Sequence, residues 1–250
     1  PVYDMHGHMG QWAGIYFPRA RPEQMIRSMD SAGVRLLCFA HHAALFSPEV
    51  GNAACVAPVR AHPDRLRAYL SINPHCPGHI ESDLASFEDR RDVFVGLKLL
   101  ADYHHVPLTD ERYRAALEFA DERALSVLVH TWSGSRFNGP EHVRRIAERH
   151  GRARFLLGHS FNPDWQAAIE VARRCPNTYL ELTSVLSVRG AVDTLVRGAG
   201  SRRLLFGTDL PWFDEHQGIG ALLSAEISDR DRHNILHRNA QRLLAEAAPG

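Results

Sequence analysis

The sequence has 250 residues, enough for one large buried core and within the size range of barrels that alternate strands and helices. Its 29 basic and 29 acidic side chains cancel, so no global field attracts nucleic acid or an anionic membrane surface, and neither is expected as a partner. Hydrophobic residues at 44% and charged residues at 23% are ordinary for a soluble globular protein, and no apolar run approaches the roughly 18 residues that span a bilayer.

Val2 and Tyr3 lead into Asp4-Met5-His6-Gly7-His8, which reads as the end of a first strand. Successive strand side chains point to opposite faces, so His6 and His8 project to the same side and can close on one metal ion. Gly7 between them leaves room for a close backbone approach. Further strands are expected at Val34 to Phe39, Leu66 to Ile72, Val93 to Leu99, Ser126 to Val129, Arg154 to Leu157, Thr178 to Leu182 and Arg203 to Phe206. These runs are short, apolar and mostly not alternating, as strands buried on both faces should be.

Helix-period segments lie between them. Pro22 to Ala32 starts with proline and stops at Gly33. Ser47-Pro48-Glu49 and Thr109-Asp110-Glu111 open two more with hydroxyl or acidic first turns. Others follow Gly139-Pro140-Glu141, which Gly151 ends, and Asn162-Pro163-Asp164, which Pro176 ends. Segments 79–89, 188–198 and 228–246 complete the set. Eight strands alternating with eight helices, roughly 31 residues per pair, predict an α/β fold of a single (β/α)8 TIM barrel over residues 1–250, rather than an open doubly wound sheet with a glycine-rich first turn.

Catalytic groups in such a barrel come from the C-terminal ends of the strands. Those positions carry His6 and His8, His41-His42, Asn73-Pro74-His75, Lys98, His130, His159 and Asp209. Imidazoles, a lysine and a carboxylate from separate strands would converge on one axial point, a set suited to one or two divalent ions with an open position. Cysteines 38, 55, 76 and 175 are scattered, with no Cys-x-x-Cys pair. That predicts reduced thiols in a cytoplasmic setting and no sulfur-ligated metal. The opening residues lack the basic start and apolar run of a signal peptide.

The motifs Asp4-Met-His-Gly-His8, Gly96-Leu-Lys-Leu99, Val127-Leu-Val-His130, Leu157-Gly-His-Ser160, Phe206-Gly-Thr-Asp-Leu-Pro211 and Asn234-Ile-Leu-His-Arg-Asn-Ala240 span nearly the whole chain. In that order they resemble the amidohydrolase superfamily, most closely its amidohydrolase-2 branch of compact metal-dependent barrels. The resemblance implies that His6, His8, His130 and Asp209 hold the principal metal. It implies that His159 binds a second metal or acts on the substrate. Lys98 would either be carboxylated and bridge two ions or serve the substrate as a free amine. Imidazole and carboxylate ligands suit zinc first, with manganese, iron or cobalt as alternatives.

Each tryptophan follows a candidate ligand: Trp12, Trp132, Trp165 and Trp212. Tyr16, Phe17, Phe137, Phe161 and Phe213 share the same loops. An aromatic mouth suggests a small flat or ring-containing substrate, with Trp12, Trp132 and Trp212 as its walls and Trp165 as a hydrophobic plug. Arg19, Arg136 and Arg189 are candidates to clamp a carboxylate, and Arg136 is taken as substrate-binding.

The function expected is hydrolysis of an amide, ester or lactone bond of a small organic acid by metal-activated water. Asp209 would be ligand and general base, and His159 or a second ion would polarise the carbonyl. The family's decarboxylases are generally longer and do not usually show this lysine motif, which favours hydrolysis. A non-oxidative decarboxylase of an aromatic or unsaturated acid (a lyase), with His159 handling the proton, is the first alternative. A catalytically silent metal-binding barrel is the second. The partner expected is a small-molecule substrate, and homo-oligomerisation is left open.

Overall fold

The computed structural model describes residues 1–247. Eight parallel strands follow one another in space in chain order: β1 (Val2–Met9), β2 (Val34–His41), β3 (Leu66–Ile72), β4 (Phe94–Leu99), β5 (Ser126–His130), β6 (Arg154–Gly158), β7 (Thr178–Glu181) and β8 (Leu204–Leu205). The ring closes between β8 and β1 through single bonds. Met5 N–H donates to Phe206 O at 3.0 Å, Asp209 N–H to His6 O at 2.7 Å and His8 N–H to Leu210 O at 2.6 Å. The result is the expected (β/α)8 TIM barrel, with helices between the strands on the outside.

β8 is shorter than the apolar run Arg203 to Phe206 suggests. Beyond Leu205 the chain leaves the β7 ladder, and Phe206 N–H donates to Ile235 O instead. In β1 the register slips between Asp4 and Gly7, where β1 carries one residue more than β2. Such a bulge re-aims the side chains that follow it. Met5 joins the lower apolar layer inside the barrel, with Cys38, Tyr69, Leu128, Leu156 and Leu205, while His6 lies among the polar groups above it. Ala240 and Leu243 plug that layer from below, and the larger apolar layer lies between sheet and helices.

The helix Pro22–Ala32 ends where Gly33 takes a left-handed φ of 74°, as its sequence suggests. At Thr109-Asp110-Glu111 the acid Asp110 caps the turn Glu111–Tyr113. Two ends differ from the expectations. Ser47 makes no side-chain cap bond to the helix Pro48–Ala54. The C-terminal segment is interrupted by a π-helical turn, Asn234–Arg238, between Asp229–His233 and Asn239–Ala247.

Candidate metal centre

His6 is fully buried, and its two ring nitrogens have separate partners. Nδ1 lies 2.9 Å from Glu181 Oε2, and a carboxylate there accepts a hydrogen bond from Nδ1–H. Nε2 is then left as an acceptor, 2.8 Å from Lys98 Nζ and 3.3 Å from Asp209 Oδ1. His8 Nε2 lies 3.0 Å from the same Asp209 oxygen. One ligand atom each from His6, His8 and Asp209 fall within 4.8 Å of one another, the one such cluster among the described residues.

The backbone supports that arrangement at a cost. Asp209 sits at a φ of 63°, and His159, Ser160 and Phe161 sit at 69°, 47° and 55°. Left-handed conformations of non-glycine residues concentrate at functional sites, where the surroundings enforce them. Asp4 anchors both sides of the seam, accepting from His6 N–H at 3.0 Å and Thr208 N–H at 3.1 Å. At Gly207 an added Cβ would meet Glu181 Oε1 at 2.0 Å, so only glycine lets that carboxylate approach.

Burial sets most of the protonation states. It lowers His6, helped by the Lys98 charge, and pushes His159 down to about 4, so both imidazoles are neutral near pH 7. It pushes Lys98 down to about 8. For Asp209 burial acts upward, but the adjoining His6 and His8 outweigh it, and the carboxyl stays well below its usual range. Asp209 Oδ1 is buried without a hydrogen bond. Neutral imidazoles, an ionised carboxylate and an orphaned oxygen between them fit a divalent cation held by nitrogen and oxygen.

A cavity of about 530 Å³ opens above the cluster. His8, His41, His42, His130, His159, Ser184 and Asp209 form much of its polar lining. Trp12, Tyr103, Trp132, Trp212 and Phe213 wall it. Trp12 meets Tyr103 edge-on with centroids 5.5 Å apart and Trp212 at 5.7 Å. His159 Nε2 and His130 Nδ1 are 3.1 Å apart, and Trp132 packs edge-on against His159 at 5.2 Å.

A family profile described as amidohydrolase matches residues 3–245. The chain belongs to the amidohydrolase family. No curated protein matches it in sequence. Among solved structures, an uncharacterised TIM-barrel protein from Bordetella bronchiseptica superposes with a TM-score of 0.81 at 21% identity, covering 98% of this chain and 99% of that one. A 5-carboxyvanillate decarboxylase from Sphingomonas paucimobilis gives 0.79 at 13% identity, with 98% of each chain covered. A dihydroxybenzoic acid decarboxylase from Polaromonas, solved with manganese and 2-nitroresorcinol, gives 0.76 at 15%, covering 99% and 98%. At these identities the likeness is one of fold. Since the decarboxylases align almost end to end with this chain, length does not set it apart from them and gives no reason to prefer hydrolysis.

In this amidohydrolase-family barrel His6, His8 and Asp209 come together, with Lys98 beside His6. His130 lies outside the tight cluster and pairs with His159. Trp12, Trp132 and Trp212 line the cavity, whereas Trp165 packs on the core. Arg136 does not line it: it is exposed, and its carbonyl meets His142 Nε2 at 3.1 Å. The preceding residue, Ser135, donates its hydroxyl to Asp102. Arg19 pairs with Asp214 on the surface and Arg189 lines a separate groove. His75 is spent on the carbonyl of His104, away from the cavity. Asp102, Tyr103 and His105, after β4, line the cavity without having been singled out in the sequence. Glu181 was also missed, although a lone acid in the apolar run Thr178-Tyr-Leu-Glu-Leu182 is a signal that it is paired.

Proposed function

We propose that the protein is a metal-dependent non-oxidative decarboxylase of a small aromatic or ring-like unsaturated acid. The observation that carries this reading is the form of the cavity: flat aromatic walls of Trp12, Tyr103, Trp132 and Trp212 stand over one compact cation site. The end-to-end likeness to decarboxylases of carboxylated phenols supports it. His6, His8 and Asp209 would hold the cation, with zinc, manganese, iron and cobalt all compatible. When bound, the cation supplies positive charge that anchors a substrate carboxylate.

The walls orient the ring and exclude water from it. The His159–His130 pair lines the cavity and offers a proton path of two imidazoles, with Ser184 Oγ 3.4 Å from His159 Nδ1. An anionic substrate beside it favours the protonated pair. His159 then delivers the proton to the ring carbon that carries the carboxylate. The bond between that carbon and the carboxylate breaks, its electron pair stays with the ring to form the new C–H bond, and carbon dioxide leaves. The proton is restored through His130.

Hydrolysis is retained as a second reading, because an ionised Asp209 that lines the cavity is suited to a general base. The two separate in one experiment. Protein loaded with manganese or zinc is incubated with 2,6-dihydroxybenzoate, 2-hydroxybenzoate and a set of aryl lactones and amides. Carbon dioxide release from an acid supports the proposal, whereas lactone or amide cleavage without it favours the hydrolase.

A further inference from the structure

The charges lining the cavity narrow the substrate further, an inference that rests on the decarboxylase reading. Asp209 follows β8 and Asp102 follows β4, so the two carboxylates stand on opposite sides of the eight-strand ring, and both line the cavity. Among the described residues no lysine or arginine lines it. At the cation end the formal charges nearly balance. A divalent ion and Lys98 oppose Asp209 and Glu181, leaving a single positive charge that one substrate carboxylate cancels.

The far end is different. Asp102 Oδ1 accepts from Ser135 Oγ, and that hydroxyl is itself fixed by accepting from Phe137 N–H at 3.0 Å and Asn138 N–H at 3.1 Å. Asp102 pairs with no cation among the described residues, and its second oxygen is uncommitted. The aromatic ring of Tyr103, packed on Trp12, adjoins it. A positioned carboxylate beside aromatic faces receives hydrogen-bond donors and amines. A second acid group there would face Asp102 with no lysine or arginine in the cavity lining to neutralise either.

We propose that the end of the cavity marked by Asp102 selects aromatic monocarboxylates bearing an amino or hydroxyl donor away from the reacting carboxylate, and excludes dicarboxylates. Calorimetric titration of the manganese-loaded protein with 2-hydroxybenzoate, its 4-amino derivative and its 4-carboxy derivative tests this, with carbon dioxide release followed in parallel. The amino acid should bind at least about tenfold tighter than the dicarboxylate. Asp102→Asn should bring the two within about threefold, and Asp102→Glu should restore most of the preference, which separates lost charge from lost fold. Equal binding of the amino and dicarboxylate compounds to the native protein overturns the proposal, as does an Asp102→Asn preference unchanged from native or the binding of none of the three. Ordered binding without carbon dioxide release leaves the selectivity standing and removes the decarboxylase reading instead.

Discussion

Glu181 accepts from His6 Nδ1, His159 N–H, Thr183 N–H and Thr183 Oγ1, so one buried carboxylate fixes both a candidate ligand and the turn that carries His159. Carboxylates behind metal-binding histidines set the tautomer and ring orientation. Glu181→Gln keeps the shape and removes the charge. It should weaken metal affinity by about 10–100-fold in a chelator competition while the fold, read by circular dichroism, persists. His42 plays a related part. Its ring stacks on His8 at 4.7 Å and 5°, its Nδ1 donates to Gly10 O at 2.7 Å and its Nε2 accepts from Trp212 Nε1 at 3.1 Å. Both nitrogens are spent and burial pushes the imidazole down to about 3, so it positions His8 rather than ligating. His42→Ala should therefore lower metal affinity about tenfold, whereas His42→Phe, which keeps the stack, should lower it by no more than about threefold and chiefly raise KM through the loosened Trp212 wall. Equal losses in the two variants would instead identify His42 as a ligand. The His-x-His pair, Lys98, His130, His159 and Asp209 are legible in the sequence because each is polar at the end of an apolar run. The role of His42 is not, because Gly10 and Trp212, which consume its nitrogens, are remote in the chain.

At the scale of elements, the buried strands are read from their continuous apolar runs, and Gly33 marks a helix end through its left-handed φ. The bulge in β1 and the brevity of β8 leave no such mark, since both are set by which neighbouring strand supplies the next hydrogen bond. Contacts between helices are equally silent. Glu215, in the first turn of the helix Glu215–Ser224, accepts from Ser28 Oγ in the helix Pro22–Ala32 at 2.7 Å, while its Oε1 is buried without a partner. Burial raises this carboxyl above its ordinary range, against the smaller opposing effect of the Ser28 bond. A carboxyl with a raised folded pKa contributes stability that is complete below its unfolded value, about 4.3, and is lost as pH rises through the folded value. Glu215→Gln should accordingly match the native protein near pH 4 and melt a few degrees higher at pH 7–8, as thermal melts at the two pH values would reveal. A variant that melts lower at pH 7 would show that the charged form is stabilised in the fold.

For the molecule as a whole, the candidate metal centre lies on the seam of the barrel. β7 and β8 share only two paired residues, and β1 meets the segment after β8 through single bonds, whereas β1 and β2 pair along six residues. His6 and His8 belong to β1 and Asp209 to the segment after β8, so a cation held by the three would clasp the ring where its ladder is thinnest. A ligand that binds only the folded state stabilises it by about 2.7 kcal/mol at a hundredfold excess over Kd. In a chain of this size each kcal/mol moves Tm by about 2–4 °C, so removing the metal should lower Tm by about 5–11 °C. The clasp makes a sharper demand than general stabilisation. Amide hydrogen exchange should quicken most on metal removal in Met5–His8 and Phe206–Leu210, and little in β3 to β5. Asp209→Asn should melt close to the metal-free native protein and gain little from added metal. Uniform quickening around the whole ring would mean that the cation stabilises the fold without closing its seam.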